Sequence, residues 1–261
     1  MRILLPPSEA KTSGGRGRAI ARRGLTGPLA EPRATVLDAL RSLITGEPAK
    51  AADALLLPAG VASEALAANA EVSRSATRPA LHRYAGVVYD GLDLDRLAPE
   101  VQRQAGRRVL VFSGLWGVVR GDEPVPNYRV PAKAALPGVG VVGTFWRPLL
   151  DDALPRMLGG DLVVDLRSSD YIAMWRPRRE IAERVVSVRV LSPLPRGGFG
   201  IVSYASKLAK GQLAAALLTR SAAGESLGSA GDVAQTWLGR GGAAAEVTAT
   251  NHVDLYTSPP P

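Results

Sequence analysis

Acidic, hydroxyl and basic side chains follow several short apolar runs of this 261-residue chain. Lys11 comes after one such run, in LLPPSEAKT, and Asp165, Ser169 and Tyr171 come at the end of another, in VVDLRSSDYIAMW. An amine, a carboxylate, a hydroxyl and a phenol together could support acid–base chemistry. If the protein is an enzyme, we expect these four residues to be catalytic. The alternative is structural, with Ser168 or Ser169 capping the next segment and the aspartate paired with an arginine.

The pair Lys11-Thr12 is typical of the end of a phosphate-binding loop. A P-loop needs two glycines, one of them just before the lysine, so that backbone amides can surround the phosphate. Leu5 and Ala10 stand at those positions, which excludes the motif. Two interpretations remain: a ligand-binding lysine after the carboxyl end of a strand, where open α/β sheets bind ligands, or a surface lysine beside Glu9.

Four more basic residues lie in patterns that suit an anion. Arg120 and Arg129 flank two acidic residues in FSGLWGVVRGDEPVPNYRV, a loop that either binds an anion or is organised by internal salt bridges. Lys207 and Lys210 are three residues apart in IVSYASKLAKGQLAAALL, where Ser206 is the predicted N-cap of a helix. Two lysines in a first turn add to the positive end of the helix dipole and make a phosphate site.

Pro58 and Gly60 lie between two helical patterns in LLLPAGVASEALAAN. A short hairpin between helices can present backbone amides to a DNA phosphate, assisted by the positive end of the second helix. The alternative is an ordinary helical hairpin packed on the core.

The chain is basic, with 32 Lys and Arg against 24 Asp and Glu and a net charge of +8. This excess favours a polyanionic partner, nucleic acid first, and equally suits a solvated surface set by composition. There is no cysteine, and the two histidines, His82 and His252, lie far apart. Thiol chemistry and disulfides are excluded, and we expect no metal and no cofactor. Without a run of about 20 apolar residues or a signal peptide, we expect a cytoplasmic protein with no membrane partner.

Strand-like runs and helical patterns alternate along the chain. Strands are predicted at 2–5, 108–113, 161–166, 186–192, 199–204 and 245–250, and helices at 34–46, 62–72, 147–158 and 206–220. The mixture predicts an α/β (mixed α+β) fold, with a central sheet in a single domain over 1–256. The alanine-rich region 34–105 is interpreted as a helical subregion, and 257–261 as a disordered tail. If the strands are parallel, one edge of the sheet forms a basic cleft that collects Lys11, Arg120, Asp165 and Lys207.

Six segments occur in the order LLPPSEAKT, YAGVVYDGLD, FSGLWGVVRGDEPVPNYRV, FWRPLL, DLRSSDYIAMW and VSYASKLAKGQLAAALL. Together they resemble the YaaA family of peroxide stress proteins, from residue 1 to about 256. The resemblance implies a cytosolic bacterial protein of unusual α/β fold that protects against hydrogen peroxide. It also implies DNA binding through a positively charged cleft and a helix-hairpin-helix element, here at Pro58 and Gly60. The basic residues that match family motifs are Lys11, Arg120, Arg129, Lys207 and Lys210.

The chain departs from the family pattern at Ala10, where many relatives have glycine, and at Gln212, where arginine is common. Tyr204-Ala205-Ser206 likewise replaces versions that contain His or Asn. If the cleft is catalytic in some members, these changes bear on whether the chemistry is retained here.

The leading hypothesis is a stress-protection protein that contacts the phosphates of duplex or locally opened DNA without reading its sequence. The alternative is an enzyme that acts on a phosphorylated or nucleoside-like small molecule in the same cleft. A third interpretation is an interaction protein whose basic surface is incidental. With no thiol and no metal motif, we do not expect the protein to destroy peroxide itself.

Overall fold

A sheet of five parallel strands, extended by an antiparallel strand at each edge, forms the centre of the molecule. The structure is a computed structural model, and it describes residues 1–258. The strands are β1 (Arg2–Leu5), β2 (Arg78–Pro79), β3 (Val109–Ser113), β4 (Gly117–Arg120), β5 (Pro124–Val125), β6 (Ala135–Leu136), β7 (Gly140–Val141), β8 (Val163–Asp165), β9 (Val185–Pro193), β10 (Phe199–Gly200), β11 (Ala244–Ala249) and β12 (His252–Tyr256). The helices are α1 (Ile20–Arg23), α2 (Ala30–Ile44), α3 (Pro48–Ala54), α4 (Ala59–Ala70), α5 (Ala80–Arg83), α6 (Val87–Leu92), α7 (Pro99–Arg108), α8 (Val142–Leu158), α9 (Ser169–Ile172), α10 (Arg179–Ala182), α11 (Ser203–Ala222) and α12 (Ala230–Gly239), with a 3₁₀ helix at Leu94–Arg96.

The order of the strands across the sheet is β11-β12-β9-β8-β1-β3-β4. The five strands from β12 to β3 are parallel, whereas β11 and β4 pair antiparallel with their neighbours. The chain passes from β1 to β3 on one side of β1 and later reaches β8 on the other side. A reversal of this kind opens a crevice beyond the carboxyl end of the strand, where open parallel sheets bind ligands.

The inner strands are apolar on both faces because they are covered on both sides. Ile3, Leu4 and Leu5 of β1 have no exposed surface, and every residue of β3 is buried. This explains why these runs show no apolar–polar alternation in the sequence. Helix α11 packs against β9, and α8 packs against β4.

The predicted α/β class with a central sheet is confirmed, and most predicted elements match the structure within a few residues. The strand predicted at 199–204 is wrong beyond Gly200, because α11 begins at Ser203. The predicted N-cap Ser206 is also wrong: Val202 precedes the helix, and Ser206 is buried within it. Lys207 and Lys210 therefore lie beyond the first turn, where the helix dipole acts less strongly.

Region 34–105 contributes no strand to the central sheet and contains most of α2 and α7 and all of α3 to α6. Pro58 directly precedes α4 and Gly60 lies in its first turn, with both residues exposed. Helices α3 and α4 meet at 100°. The helix-hairpin-helix element stays a prediction. Among the described residues, no single helix has the length and apolarity to cross a membrane, although α3 and α4 together pass that test as a bent pair.

Helices α6 and α11 approach closely because a glycine lies on each side of their contact. A Cβ atom on Gly91 would overlap the Leu208 carbonyl oxygen, and one on Gly211 would overlap the Val88 carbonyl oxygen. The same helix α6 carries Tyr89, whose hydroxyl donates to the Pro6 carbonyl at 2.9 Å. The glycine contact thus fixes α11 relative to the loop that follows β1.

Thr257, which directly follows β12, lies beside β9. The Thr257 N–H donates to the Leu191 carbonyl at 3.0 Å. Of the tail predicted at 257–261, residues 259–261 lie outside the described part of the chain.

Candidate functional site

Beyond the carboxyl ends of β1 and β3, the segment after β1 meets residues that follow α5 and β5, and one group of polar side chains comes together there. We call this group the β1 crevice and define it by Glu9, Lys11, Tyr84, Tyr128 and Arg129. Its position matches the reversal of strand order at β1, which is where the fold leaves room for a ligand.

Lys11 lies at the centre of the β1 crevice and is half-buried. Its Nζ donates to the Ser8 carbonyl at 3.0 Å. The same atom lies over two aromatic rings, 4.3 Å from the centroid of Tyr128 and 5.4 Å from that of Tyr84. The carbonyl and the ring faces favour an ammonium group, but they leave it few water contacts.

Burial is the main influence on the charge of this lysine. It lowers the pKa of Lys11 from 10.5 to about 7, the Glu9 carboxylate opposes the shift, and the Arg129 and Arg83 guanidinium groups add to it. At neutral pH the side chain is therefore divided between ammonium and amine. An amine whose pKa is close to 7 can act as a base or a nucleophile at neutral pH.

Three buried hydroxyl groups form a chain behind Lys11. The hydroxyl of Tyr128 lies 2.6 Å from that of Tyr84 and 2.6 Å from Ser113 Oγ at the end of β3. Ser113 Oγ also accepts from the Trp116 N–H at 3.0 Å. Burial raises the pKa of Tyr84 to about 12 and that of Tyr128 further above its usual range. Both phenols thus keep their protons at physiological pH.

The ion pair between Glu9 and Arg129 closes one side of the β1 crevice, with Arg129 Nε 3.2 Å from Glu9 Oε2. Asn69, at the end of α4, fixes the backbone of Arg129 by accepting from its N–H at 2.8 Å and donating to its carbonyl at 2.9 Å. Helix α4 therefore positions the arginine that lowers the pKa of Lys11.

Arg83 holds the segment that follows Lys11. Its buried guanidinium donates to the carbonyls of Val125, Thr12, Gly14 and Ala76. Burial lowers its pKa, and nearby Arg78 adds to this effect. The buried charge is thus satisfied by backbone oxygens, and it repels the Lys11 ammonium.

Asp165 lies at the end of β8 and is paired with an arginine, as the structural alternative anticipated. Its two carboxylate oxygens accept from Arg167 Nε at 2.9 Å and Nη2 at 2.7 Å. The other guanidinium nitrogen of Arg167 donates to the carbonyls of Tyr171 and Trp175. Lys210 Nζ donates to the Arg167 carbonyl at 3.0 Å, and burial lowers the pKa of Lys210. These contacts organise the loop after β8.

Tyr171 connects the loop after β8 with the β1 crevice. It is buried, and burial raises its pKa, with further contributions from the Glu9 carboxylate and Tyr84. Ser169, two residues earlier, is exposed, and the helix that begins there has no side-chain cap. Tyr171 therefore lies close to Glu9 and Tyr84 of the β1 crevice, while Asp165 is occupied by Arg167.

The predicted convergence of strand ends is wrong for Arg120. β4 is antiparallel to β3, so Arg120 pairs with Leu110 near the start of β3, while Ser113 pairs with Gly117 at the other end. Three residues of strand separate Arg120 from the crevice edge, about 10 Å. Its guanidinium binds Asp122 at 2.9 Å, as the salt-bridge alternative anticipated.

Pro58 and Gly60 also lie away from the β1 crevice. Gly60 is nine residues before Asn69 on α4, which corresponds to about 14 Å along the helix axis. Lys207 is exposed, and no carboxylate lies within 4.0 Å of it in the part of the chain that the structure describes.

Tyr84, Tyr128 and Arg83 were not among the predicted site residues. Tyr128 was visible in the motif PVPNYRV, next to Arg129, but nothing in the sequence showed that its ring would lie against Lys11. Ala10 does not have positive φ; among the described residues other than glycine, only Leu56 and Asp93 do. Alanine at this position therefore carries no backbone strain.

Comparison with known proteins gives consistent matches. Residues 1–228 match the family described as peroxide stress protein YaaA. A UPF0246 protein of Streptomyces coelicolor is 42% identical over 226 residues, covering 86% of this chain and 85% of the relative. A UPF0246 protein of Corynebacterium efficiens is 35% identical over 243 residues, covering 90% and 92%. One from Corynebacterium glutamicum is 36% identical over 226 residues, covering 83% and 84%.

Proposed function

Because the chain belongs to the YaaA family of peroxide stress proteins, we propose that it acts in the cytoplasm during oxidative stress by binding DNA through phosphate contacts, without reading the base sequence. The basic cleft and the helix-hairpin-helix element expected from the sequence are part of this proposal.

The observation that carries the proposal is a set of exposed cations with no carboxylate partner. Arg16, Arg18 and Arg22 lie in the segment that follows Lys11, and all three are exposed. Within the described residues, no carboxylate lies within 4.0 Å of their guanidinium groups, and the same holds for Lys207. Cations without internal partners are available to DNA phosphates.

Three other predicted phosphate ligands are already bound by groups of the protein itself. Arg120 binds Asp122, Arg129 binds Glu9, and Lys210 binds a backbone carbonyl. A phosphate would have to displace these contacts. We therefore assign the principal phosphate contacts to the 12–24 segment and to Lys207.

Four phosphate contacts predict a definite salt dependence. Each contact releases condensed counterions, so the logarithm of the association constant should fall with log[salt] with a slope of about −3.6. Between 50 and 200 mM salt this corresponds to a loss of affinity of roughly 150-fold.

The test is fluorescence anisotropy with a labelled 20-bp duplex over a salt series. Replacing Arg16, Arg18 and Arg22 by Gln should reduce the slope by about three. The matched control replaces three exposed arginines, Arg107, Arg156 and Arg179, which precede central strands and so lie at the opposite edge of the sheet. Equal losses in both triple variants, or binding indifferent to salt, would contradict the proposal.

A second candidate function is an enzyme acting on a phosphorylated or nucleoside-like small molecule in the β1 crevice. The observation that favours it is the environment of Lys11. Phosphate binding requires neither the lowered pKa of this lysine nor the buried tyrosines beside it. A screen of nucleotides and sugar phosphates by thermal shift tests it. A ligand should stabilise the parent protein and fail to stabilise the Lys11→Met variant.

A further inference from the structure

Lys11 is poorly suited to hold a phosphate and well suited to covalent chemistry. An arginine or an exposed lysine supplies a phosphate site with a permanent cation. Lys11 is instead half-buried and lies against two tyrosine rings. Its pKa is lowered to about 7, so both the ammonium and the amine form are populated at neutral pH. Its neutral form carries a free electron pair beyond the carboxyl end of β1, the position at which open parallel sheets bind ligands.

The groups around Lys11 match the needs of carbonyl addition. The face of the Tyr128 ring and the Ser8 carbonyl hold Nζ in place. The hydroxyls of Tyr84 and Tyr128, whose rings lie against the amine, are linked to each other and stay protonated. Every charged group that acts on Lys11 is accounted for: Glu9 from its own loop, and Arg83 and Arg129 from the elements packed against it.

We propose that Lys11 is the amine of an imine-forming site that takes an aldehyde carried on a sugar phosphate. Nζ adds to the aldehyde carbon, and the carbonyl oxygen takes up a proton to give a carbinolamine. Loss of that hydroxyl as water then leaves a carbon–nitrogen double bond between substrate and lysine. One amine and one aldehyde give one imine and one water, so no oxidant or reductant is needed.

Cations next to the crevice suit the phosphate of such a substrate. Arg78 donates to Thr12 Oγ1 at 3.3 Å, and within the described residues no carboxylate lies within 4.0 Å of it. Arg16 and Arg18 are exposed in the segment that follows. A substrate with its aldehyde at Lys11 therefore has partners for a phosphate within the adjoining segment.

Two kinds of substrate carry both an aldehyde and a phosphate. One is a free sugar phosphate in its open-chain form. The other is DNA that has lost a base, whose deoxyribose opens to an aldehyde between two phosphates; this source rests on the DNA binding proposed above.

The experiment is reductive trapping on the full chain. The protein is incubated with cyanoborohydride and either 2-deoxyribose 5-phosphate or an oligonucleotide with a single abasic site, and the modified lysine is identified by peptide mass mapping. The chain has only five lysines, so the assignment is direct. We expect Lys11 to be modified at least about tenfold faster than Lys207 at pH 7, because burial lowers the pKa of Lys11 to about 7 and so leaves much of it as the reactive amine.

Three variants make the outcome specific. Lys11→Arg keeps the positive charge and should abolish the adduct. Lys50→Arg, at an exposed lysine of α3 that is not among the assigned phosphate contacts, should leave it unchanged. Tyr128→Phe should slow its formation while keeping the lysine. Modification spread evenly over the lysines and the amino terminus would overturn the proposal. That result needs no variant and so does not depend on how Lys11→Arg folds.

Binding of an intact duplex, measured in parallel, separates the two proposals. Intact DNA bound without an adduct in either arm means that the imine chemistry is wrong and DNA binding holds. An adduct at Lys11 with the sugar phosphate, without binding of intact DNA, means the reverse. An adduct with the abasic oligonucleotide alone assigns the damaged DNA as substrate.

Discussion

Lys11 Nζ lies over the face of the Tyr128 ring, 4.3 Å from the ring centroid, and the Tyr128 hydroxyl is 2.6 Å from Ser113 Oγ at the end of β3. One aromatic side chain thus joins the loop after β1 to the neighbouring strand. The ring favours the ammonium form of Lys11, and burial favours the amine. Since these influences oppose each other, small changes in nearby charge should move the protonation equilibrium measurably.

Changes to the ion pair beside Lys11 should shift its pKa in opposite directions. Arg129→Ala removes a positive neighbour and frees the Glu9 carboxylate, so the pKa of Lys11 should rise from about 7. Glu9→Gln removes the group that opposes the shift, so the pKa should fall. The pH dependence of Lys11 acylation, followed by peptide mass mapping, measures both. Shifts in the same direction would contradict this electrostatic account.

Lys11→Met should stabilise the folded protein, most strongly at low pH. The pKa of Lys11 is lowered to about 7 by folding, so the folded state bears the full cost of a buried ammonium below pH 7. Between pH 7 and 10.5 the folded state has lost this proton while the unfolded chain keeps it, and the cost disappears as pH rises. We expect a gain of roughly 1–3 kcal/mol at pH 6, since water reaching the half-buried amine reduces the full effect.

Urea denaturation at pH 6 and pH 9.5 measures this difference in the free energy of unfolding. The control is Lys207→Met, because this lysine is exposed and should change stability by no more than about 0.5 kcal/mol at either pH. A gain for Lys11→Met that is the same at both pH values would show that packing, not charge, is responsible.

Asp165→Asn should destabilise the protein by about 3–5 kcal/mol, because it leaves Arg167 buried without its counter-charge. The guanidinium lies 4.3 Å from the Phe112 ring centroid, a contact too weak to replace a carboxylate. Thermal unfolding measures the loss. In the double variant Asp165→Asn, Arg167→Met the uncompensated charge is gone, so part of the stability should return. A double variant less stable than the single one would contradict this explanation.

Short apolar runs were enough to predict β1, β3 and β8, because strands buried on both faces leave a continuous apolar pattern. β4 and β12 were not among the predicted strands, and the antiparallel pairing of β4 places Arg120 away from the carboxyl end of β3. Ser206 was mistaken for an N-cap because the sequence alone did not show that α11 begins at Ser203. Local pattern thus identified the elements, while pairing direction and helix start depend on contacts distant in sequence.

The central residue of the candidate site was predictable, and its environment was not. Lys11 follows a predicted strand, which is a local property of the sequence. Tyr84 and Tyr128 come from positions 73 and 117 residues further along the chain. Their approach depends on the order of the strands, which no spacing within a motif encodes. The lowered pKa of Lys11 is a property of this assembly and has no local signature.

Lys207 and Lys210 lie on the same helix but should contribute differently to DNA binding. Lys207 is exposed, whereas Lys210 Nζ is hydrogen bonded to the Arg167 carbonyl at 3.0 Å and is partly buried. Lys207→Gln should reduce the salt slope of binding by about one, because one phosphate contact is lost. Lys210→Met should leave the slope unchanged, since its ammonium is not free to meet a phosphate. Anisotropy titrations of the two variants over the same salt series test this, and an equal reduction in both would mean that Lys210 leaves Arg167 to bind DNA.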